Sequence, residues 1–344
     1  PTMKHPYKTD IAVLMLFFNR PETFQQAFDA VKASRPSKLL LYQDGPREGN
    51  EKDRKGMEAC RRIASDENID WVCEVHRHYC ERNQGCDPSG FLSQKWAFSL
   101  ADKVAVVEDD VVPAPSFLPF CKEMLDRYEH DERITMVAGF NTDEVTPNVP
   151  YDYFFTSAFS IWGWASWRRV VEKWDGTYSF MNDEFNRQQL ADLVKARGYR
   201  SDFMRMCADH AAAGKPFFES VFWSTMLMNN GLAIMPTRNM VSNVGATADS
   251  THYAALQTMP HGLRRIFTMQ RHDVTFPLKH PKYVMEYVAY KEHTYRTNGW
   301  GHPWIKIGRS VEELWLNLKA GNTRQITQAL TRRIKKWMGK GKHV

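Results

Sequence analysis

The sequence has 344 residues, of which 43% are hydrophobic and 25% are charged, and its formal net charge is +6. This length predicts one large domain with an appendage, or two domains. The composition is that of a globular protein and excludes disordered, collagen-like and coiled-coil classes. No apolar run approaches the roughly 20 residues that a membrane-spanning helix needs. We therefore expect a soluble or peripheral protein.

The first residues and the cysteines both favour the cytoplasm. Residues 1–4 do not form a charged-then-apolar leader, so we expect no signal peptide there. The cysteines form no CxxC pair and no zinc-type spacing, and a chain of this length needs no disulfides. We expect reduced thiols at all six positions: Cys60, Cys73, Cys80, Cys86, Cys121 and Cys207.

The positive charge lies at the end of the chain. Residues 332–344 contain six lysines and arginines and no acidic residue, so the remainder carries no net charge. A nucleic-acid groove needs basic residues spread over a folded face, and we therefore expect no nucleic-acid partner. A basic end suits an anionic membrane surface or simply serves solubility.

An amphipathic helix is predicted just before this basic end. Residues 323–338 place apolar side chains at helical spacing with arginine and lysine between them. The apolar face of such a helix would dock either on the folded domain or on a membrane surface. The apolar positions are Ile326, Leu330, Ile334 and Trp337.

Apolar runs of strand length alternate with helical segments in the first third of the chain. Such alternation predicts a mainly parallel sheet flanked by helices. Helices are predicted from Pro21, over about residues 51–66 and over residues 90–101. The predicted strands are Ile11–Phe18, Lys38–Asp44, Ile69–His78 and Val104–Val107.

Polar side chains follow three of these strands. In a parallel sheet, ligands bind beyond the carboxyl ends of the strands, so these side chains should converge on one crevice. They are Asn19-Arg20, Gln43-Asp44 and Glu108-Asp109-Asp110.

The acidic triplet at residues 108–110 suggests a metal site. No GxGxxG motif follows the first strand and no GxxxxGK[ST] motif occurs, which disfavours dinucleotide-binding and P-loop classes. A hard divalent cation held by one or two carboxylates can instead bridge a protein and a diphosphate. Adjacent carboxylates are costly unless a cation or hydrogen-bond donors compensate them. The alternative is an ordinary solvated loop.

The segment Val106–Phe117, with the sequence VVEDDVVPAPSF, resembles the acidic metal motif of GT-A fold glycosyltransferases. It is most similar to the N-acetylglucosaminyltransferase I-like group and its bacterial relatives. Further blocks follow the family order from residue 11 to about residue 253. They are Phe18–Pro21, Tyr42–Gly45, Arg82–Cys86, Ile161–Trp167 with Lys173-Trp174, Asn229–Leu232, Asn239–Gly245 and Thr251-His252.

The resemblance implies a GT-A, Rossmann-like fold for a nucleotide-diphospho-sugar transferase, with a mixed, mainly parallel sheet. Residues 8–245 would form the catalytic domain. Residues 246–344 would form a lid loop and a mainly helical extension with the basic tail. Loops are expected at Thr142–Tyr153 and Ala246–Pro260, the latter as the lid.

The resemblance also implies a nucleotide-sugar donor, most simply a UDP-sugar. Asn19 and Arg20 would lie near the nucleotide, and Asp44 would accept a hydrogen bond from the uracil imide. Arg82 would contact the diphosphate, unless it is a surface arginine in a loop.

Within the acidic triplet, the resemblance gives each carboxylate a separate role. Glu108 would contact hydroxyls of the donor sugar, Asp109 the ribose, and Asp110 a manganese or magnesium ion. His252 would be a second metal ligand, or else a structural histidine. Adjacent residues at a strand end point in different directions, so three carboxylates can serve three parts of a ligand.

The resemblance places a catalytic base near Glu219. An inverting transfer needs a carboxylate that deprotonates the acceptor hydroxyl. The family usually has an aspartate beside a tryptophan there, whereas Glu219 is the only acid in residues 215–223. Its apolar neighbours predict partial desolvation and a raised pKa. The alternatives are a helix-start glutamate that satisfies amide groups, or a base at Asp209 or Asp183.

The acceptor wall is assigned to Trp162 or Trp164, on either side of Gly163. An indole ring can stack on the apolar face of a pyranose, and hydrophobic packing beneath the site is the alternative.

We therefore expect an inverting, metal-dependent glycosyltransferase in the cytoplasm, peripheral on the inner face of the cell membrane. Its saccharide acceptor would be a lipid-linked precursor of a bacterial surface polysaccharide or oligosaccharide. A sugar-nucleotidyltransferase or nucleotide-sugar hydrolase would use the same metal and crevice. A non-catalytic carbohydrate-binding protein would use only the tryptophans.

Overall fold

A computed structural model of the chain describes residues 4–246 and 256–322. The fold is mixed α/β, with an eight-stranded, mainly parallel sheet flanked by helices and a helical C-terminal region. This confirms the fold class expected from the sequence. His252 and the amphipathic helix expected at residues 323–338 lie outside the described residues.

The strands form two sheets. In the large sheet the order is β3-β2-β1-β4-β8-β6-β9-β7, and β10 pairs with β5 in a small antiparallel sheet. The strands are β1 (Thr9–Phe17), β2 (Pro36–Gln43), β3 (Glu74–Tyr79), β4 (Lys103–Glu108), β5 (Val111–Pro113), β6 (Ile134–Ala138), β7 (Tyr153–Thr156), β8 (Trp164–Trp167), β9 (Leu232–Pro236) and β10 (Val241–Asn243).

The helices cover the sheet and continue into the C-terminal region. Two short 3₁₀ turns, at Ser179–Asn182 and Leu256–Thr258, accompany them. The α-helices are α1 (Pro21–Ser34), α2 (Glu51–Ile63), α3 (Cys86–Leu100), α4 (Phe117–Arg127), α5 (Arg168–Val171), α6 (Glu184–Leu193), α7 (Arg197–Ala213), α8 (Phe218–Met228), α9 (His261–Thr268), α10 (Val288–Asn298) and α11 (Pro303–Lys319).

The centre of the sheet is buried on both faces. Strand β1 pairs in parallel with β2 on one side and β4 on the other. Its central residues Val13, Leu14 and Met15 are fully buried, which is why the strand has a continuous apolar sequence. Phe24 and Phe28 of α1 also belong to this core, one helical turn apart.

The sheet is parallel only in part. Strand β8 runs antiparallel to both β4 and β6, and β7 runs antiparallel to β9. The antiparallel strands β7 and β8 follow the four strands that were predicted from the sequence. Those four are parallel, as expected.

The third strand begins later than the sequence predicted, at Glu74 rather than at Ile69. Ile69 and Trp71 are buried but precede β3, which begins at Glu74. Trp71 forms only an isolated bridge with His5, and its indole donates a hydrogen bond of 2.8 Å to the carbonyl of Pro36. Burial here reflects packing beneath the sheet edge, so an apolar run alone misplaced the strand start.

The C-terminal region packs on the sheet. A bridge joins Phe155 in β7 to Glu286, and the buried hydroxyl of Tyr290 accepts a hydrogen bond of 3.2 Å from the amide of Thr142. All six cysteines are free thiols, as expected. Over residues 4–246 and 256–322, no helix has both the length and the apolar character of a membrane span.

Candidate functional site

The acidic triplet lies where the carboxyl ends of β1 and β4 meet. Leu16 in β1 pairs with Glu108 in β4, so the residues that follow each strand emerge side by side. The amide of Phe18 donates a hydrogen bond of 3.3 Å to Asp109 Oδ2. The side-chain amide of Gln43, at the end of β2, donates to the carbonyl of Phe18 at 2.8 Å. The expected convergence of these strand ends is present.

Arg20 is the cation of this crevice. Its guanidinium donates hydrogen bonds to Asp109 and, at 3.0 Å, to Asp110 Oδ2. Arg20 also precedes Pro21, the first residue of α1, so the end of β1 and the start of the helix fix its backbone. Arg20, which follows β1, is therefore bound to the two adjacent carboxylates that follow β4.

Asp110 is enclosed on its other side by a late part of the chain. Its backbone carbonyl accepts a hydrogen bond of 2.8 Å from the amide of Val244, and its Oδ1 lies 3.4 Å from the side-chain amide of Asn243. A Cβ atom on Gly245 would stand 2.2 Å from Asp110 Oδ2, so any side chain there would have to displace that carboxylate. The pairing of β5 with β10 brings these residues together.

The electrostatics of the triplet favour added positive charge. Burial, followed by the charges of Asp110, Asp109 and Glu219, raises the pKa of Glu108 well above its usual range. Burial also raises the pKa of Asp109, to about 6, although the charge of Arg20 opposes this. Burial by itself lowers the pKa of Arg20, but the charges of Asp109 and Asp110 outweigh this effect, so the pKa of Arg20 is raised.

Glu219 approaches this cluster from α8. It lies in the first turn of that helix, and its negative charge contributes to the raised pKa of Glu108. The side chain is exposed, whereas its neighbours Phe218 and Ser220 are buried. The predicted desolvation of Glu219 is therefore wrong, because successive helical residues point in different directions.

A hydrogen-bond network anchors the start of α8. The buried Ser220 Oγ lies 2.8 Å from both Tyr178 Oη and His210 Nδ1. The amide of Phe217 donates to Tyr178 Oη at 3.1 Å, and the His210 ring stacks on Phe217 with centroids 3.8 Å apart. Residues from three segments of the chain thus fix the turn that carries Glu219.

Asp44 is buried and already bound to protein donors. Its Oδ1 accepts hydrogen bonds of 2.8 Å from the amides of Gly45 and Gln84. Its Oδ2 accepts from the side-chain amide of Asn83 at 3.0 Å and from the amide of Gly85 at 3.1 Å. These four donors use the acceptor sites of a carboxylate. A uracil imide would have to replace one of them.

The loop around Arg82 packs tightly on the end of β2. A Cβ atom on Gly45 would lie 2.3 Å from the carbonyl carbon of Arg82, so the two backbones approach too closely for any other residue at position 45. The Arg82 side chain itself is exposed.

Asp53 is a site-forming residue that the sequence analysis missed. It is fully buried, and its Oδ1 accepts hydrogen bonds of 2.7 Å from the side chains of both Asn19 and Arg47. Its own amide donates to the Asn50 side chain, the N-cap of α2. Asn19 is therefore held in place by a carboxylate whose sequence context is an ordinary charged helix.

The two tryptophans expected at the acceptor wall lie in different environments. Trp164 is fully buried in β8, and its ring packs against Phe222 with centroids 5.0 Å apart. It leaves no face for a sugar to stack on, so its assignment to the acceptor wall is corrected to the core. Trp162 is half-buried, with Phe140 and Phe267 as ring neighbours.

The carboxylates of the acidic triplet suit a divalent cation that is also coordinated by a bound substrate. No group of three or more His, Cys, Asp or Glu side chains in the described ranges is arranged to hold a metal ion alone. Magnesium sites often use only one or two carboxylates together with substrate phosphates. Asp109 and Asp110 share the single guanidinium of Arg20, and burial with the neighbouring acidic charges raises the pKa of Glu108 beside them.

Comparisons with known proteins leave the family open. No family model matches the sequence, and no curated protein matches it. A UDP-glucose pyrophosphorylase complexed with UDP-glucose is similar at a TM-score of 0.29 and 8% identity, covering 48% of this chain and 78% of that chain. An inositol-1-phosphate CTP transferase from T. maritima is similar at 0.30 and 10%, covering 48% and 73%. At these scores neither likeness carries an argument about this chain.

Proposed function

We propose that this protein is an inverting, metal-dependent glycosyltransferase that moves a sugar from a nucleotide-sugar, most simply a UDP-sugar, to a saccharide acceptor. The observation that carries the proposal is the acidic turn at the end of β4. Three carboxylates converge there with Arg20 as their cation, and the exposed Glu219 lies close enough to add its charge. Nucleotide-sugar transfer needs a cation site and a nearby carboxylate base.

Asp110 is the residue that would hold manganese or magnesium, with His252 as a second ligand outside the described residues. The cation would supply electrostatic stabilisation of the leaving diphosphate. Arg20 holds Asp109 and Asp110 in fixed orientations, while Asn243 and Gly245 form the wall behind Asp110.

The donor would lie along the strand ends. Asn19, oriented by Asp53, and Asp109 are placed beside the end of β1. Glu108, half-buried beside Asp109 and Asp110, would contact hydroxyls of the donor sugar. Asp44 would recognise the base by exchanging the Asn83 amide for it, and Arg82 would approach the diphosphate from its exposed loop.

Glu219 would take the proton from the acceptor hydroxyl. Its exposure suits this role, because an acceptor must reach the carboxylate from solvent. The network of Tyr178, Ser220 and His210 fixes the backbone beneath it. Trp162 remains our proposal for the acceptor wall. By resemblance, the acceptor would be a lipid-linked precursor of a bacterial surface saccharide.

A second candidate is nucleotidyl transfer, which the acidic triplet and the crevice at the strand ends would also serve. It would use the same triplet and cation but would release a nucleotide-sugar and pyrophosphate from a sugar phosphate and a nucleoside triphosphate. Glu219 would then have no proton to accept from a saccharide. The two candidates therefore differ in their substrates and in their dependence on Glu219.

A thermal-shift panel of nucleotide-sugars and nucleoside triphosphates, with and without manganese, tests the proposal. A ligand at a hundred times its dissociation constant should stabilise the protein by about 2.7 kcal/mol. We expect the largest manganese-dependent shift with a UDP-sugar. Product analysis with a saccharide acceptor, or with sugar phosphate and triphosphate, then separates glycosyl from nucleotidyl transfer. Release of free sugar without an acceptor would indicate a hydrolase.

Asp110→Ala is the decisive variant for this panel. It should abolish the manganese-dependent shift and leave the melting temperature of the free protein nearly unchanged. Asp102→Ala is the matched control, because Asp102 precedes the same strand, at its opposite end, with a side chain that is 76% exposed. An undiminished manganese-dependent shift in Asp110→Ala would remove the metal assignment.

A further inference from the structure

Helix α11 carries a continuous apolar stripe that faces solvent. Its members are spaced three or four residues apart over the whole helix, so they occupy one face. We call these residues the α11 stripe: Trp304 (80% exposed), Ile307 (50%), Val311 (61%), Leu314 (42%), Trp315 (56%) and Leu318 (58%).

The other side of α11 is attached to the protein. Glu312 accepts a hydrogen bond of 2.8 Å from the amide of His261 at the start of α9, and Arg309 donates to the carbonyl of Thr297 in α10. Asn317 is buried. The helix is therefore held by its polar side with its apolar side outward, the reverse of an ordinary surface helix.

The composition of the stripe suits the boundary between lipid headgroups and acyl chains. Two of its six members are tryptophans, which are enriched at that boundary because the indole is apolar with one polar atom. No charged residue interrupts the stripe, and Lys319 lies at its edge, with Nζ 5.3 Å from the centroid of the Trp315 ring. Amphipathic helices that lie in a membrane interface combine these features.

The charge that follows α11 favours an anionic partner. The helix ends at Lys319, and the next 23 residues of the sequence contain seven lysines and arginines and no acidic residue. A second copy of the chain would bring a like charge to the same region, whereas anionic headgroups would compensate it. Charge complementarity thus selects a lipid surface over self-association.

We propose that α11 binds an anionic phospholipid surface, with the α11 stripe at the boundary between headgroups and acyl chains. This inference is independent of the proposed transferase activity. It assigns the apolar part of the contact to α11, whereas the sequence pattern alone pointed to residues 323–338.

Sedimentation of the full chain with vesicles tests this proposal. The probes are phosphatidylcholine vesicles with and without phosphatidylglycerol, at low and high salt. We expect binding only to the phosphatidylglycerol vesicles, weakened by salt. The variant Trp304→Ser/Val311→Ser/Leu318→Ser should bind at least about tenfold more weakly, because each buried apolar side chain contributes more than 1 kcal/mol. Its residues are exposed, so the variant should fold.

Phe185→Ser is the matched control, since Phe185 is 71% exposed in α6, away from the stripe. It should bind like the unmodified chain. Equal binding by the triple variant, or no binding by the unmodified chain, would overturn the proposal. A dimer in analytical ultracentrifugation that the triple variant abolishes, without vesicle binding, would instead make a second copy the occupant of the stripe.

Discussion

Gly245 lies so close to Asp110 that a Cβ atom at position 245 would stand 2.2 Å from Asp110 Oδ2. The nearest alternative atoms, Asp110 Cγ at 2.9 Å and Asn243 Oδ1 at 3.0 Å, belong to the same wall. A side chain at this position must therefore move the carboxylate. Glycine at position 245 therefore leaves Asp110 in its observed orientation, an effect that no helix or strand propensity explains.

Gly245→Ala should weaken manganese-dependent UDP-sugar binding at least about tenfold, because even a small displacement of a metal ligand spoils its geometry. The free energy of unfolding should change by no more than about 1 kcal/mol. Isothermal titration calorimetry with manganese and UDP measures the effect. Gly308→Ala is the control, because a Cβ there meets open space. Unchanged binding by Gly245→Ala would show that Asp110 does not serve the ligand.

Glu219→Gln should reduce saccharide transfer by about 10²–10⁴-fold, the usual value of general base catalysis. Donor affinity should be retained, since the base acts on the acceptor. Initial rates with saturating donor and acceptor measure this loss. The control is Glu184→Gln, which changes an exposed glutamate in the first turn of α6. Full transfer by Glu219→Gln would return the search to Asp209, an exposed residue of α7, or Asp183, which caps α6.

Asp53→Ala should lower the free energy of unfolding by about 1–3 kcal/mol, because it leaves donors of Asn19 and Arg47 without their acceptor. Donor binding should fall as well, since Asn19 loses the contact that orients it. Urea denaturation and calorimetry measure the two effects. Glu51→Ala, in the first turn of the same helix with an exposed side chain, should have little effect on either. A stable Asp53→Ala variant with normal donor binding would contradict the positioning role.

His210 should make the protein less stable in mild acid. Burial lowers its pKa, against the charges of Asp87 and Asp209, so the folded state favours the neutral ring. As the pH falls below the unfolded value of about 6.5, the unfolded chain binds the proton first and the free energy of unfolding decreases.

Melting temperatures measured between pH 7 and pH 5 test this expectation. The decline should be smaller in His210→Gln, whose side chain can still hydrogen-bond Ser220 Oγ but does not titrate. Identical declines in the two proteins would assign the acid sensitivity to other groups.

The sheet centre was predictable from the sequence because parallel strands buried on both faces have continuous apolar runs. The polar residues that follow these strands were also expected to meet, because parallel strands place their carboxyl ends at one edge of the sheet. Arg20, after β1, does form ion pairs with Asp109 and Asp110, after β4. The pairing of β5 with β10 could not be predicted, because each strand has only three residues and nothing in its local sequence indicates its partner. The wall behind Asp110 depends on that pairing.

Burial of single side chains was harder to predict than the strands. Apolar neighbours at positions 218 and 222 suggested a desolvated Glu219, but the helix turns it outward. Trp164, next to a glycine, suggested an exposed ring, but β8 lies between β4 and β6 in the middle of the sheet. The sequence around Asp53 did not indicate its role, because that role depends on contacts with Asn19 and Arg47 that form only in the folded protein.

The hydrogen bond from Val244 to the carbonyl of Asp110 also sets the order in which the site can form during translation. Strand β1 leaves the ribosome first, and β4 follows with the acidic turn, long before β10 is synthesised. Until then, Asp110 has Arg20 on one side and no wall on the other. Contacts this distant in sequence form late because closing a long loop costs chain entropy. A nascent chain can therefore complete its central strands while its donor site is still unfinished.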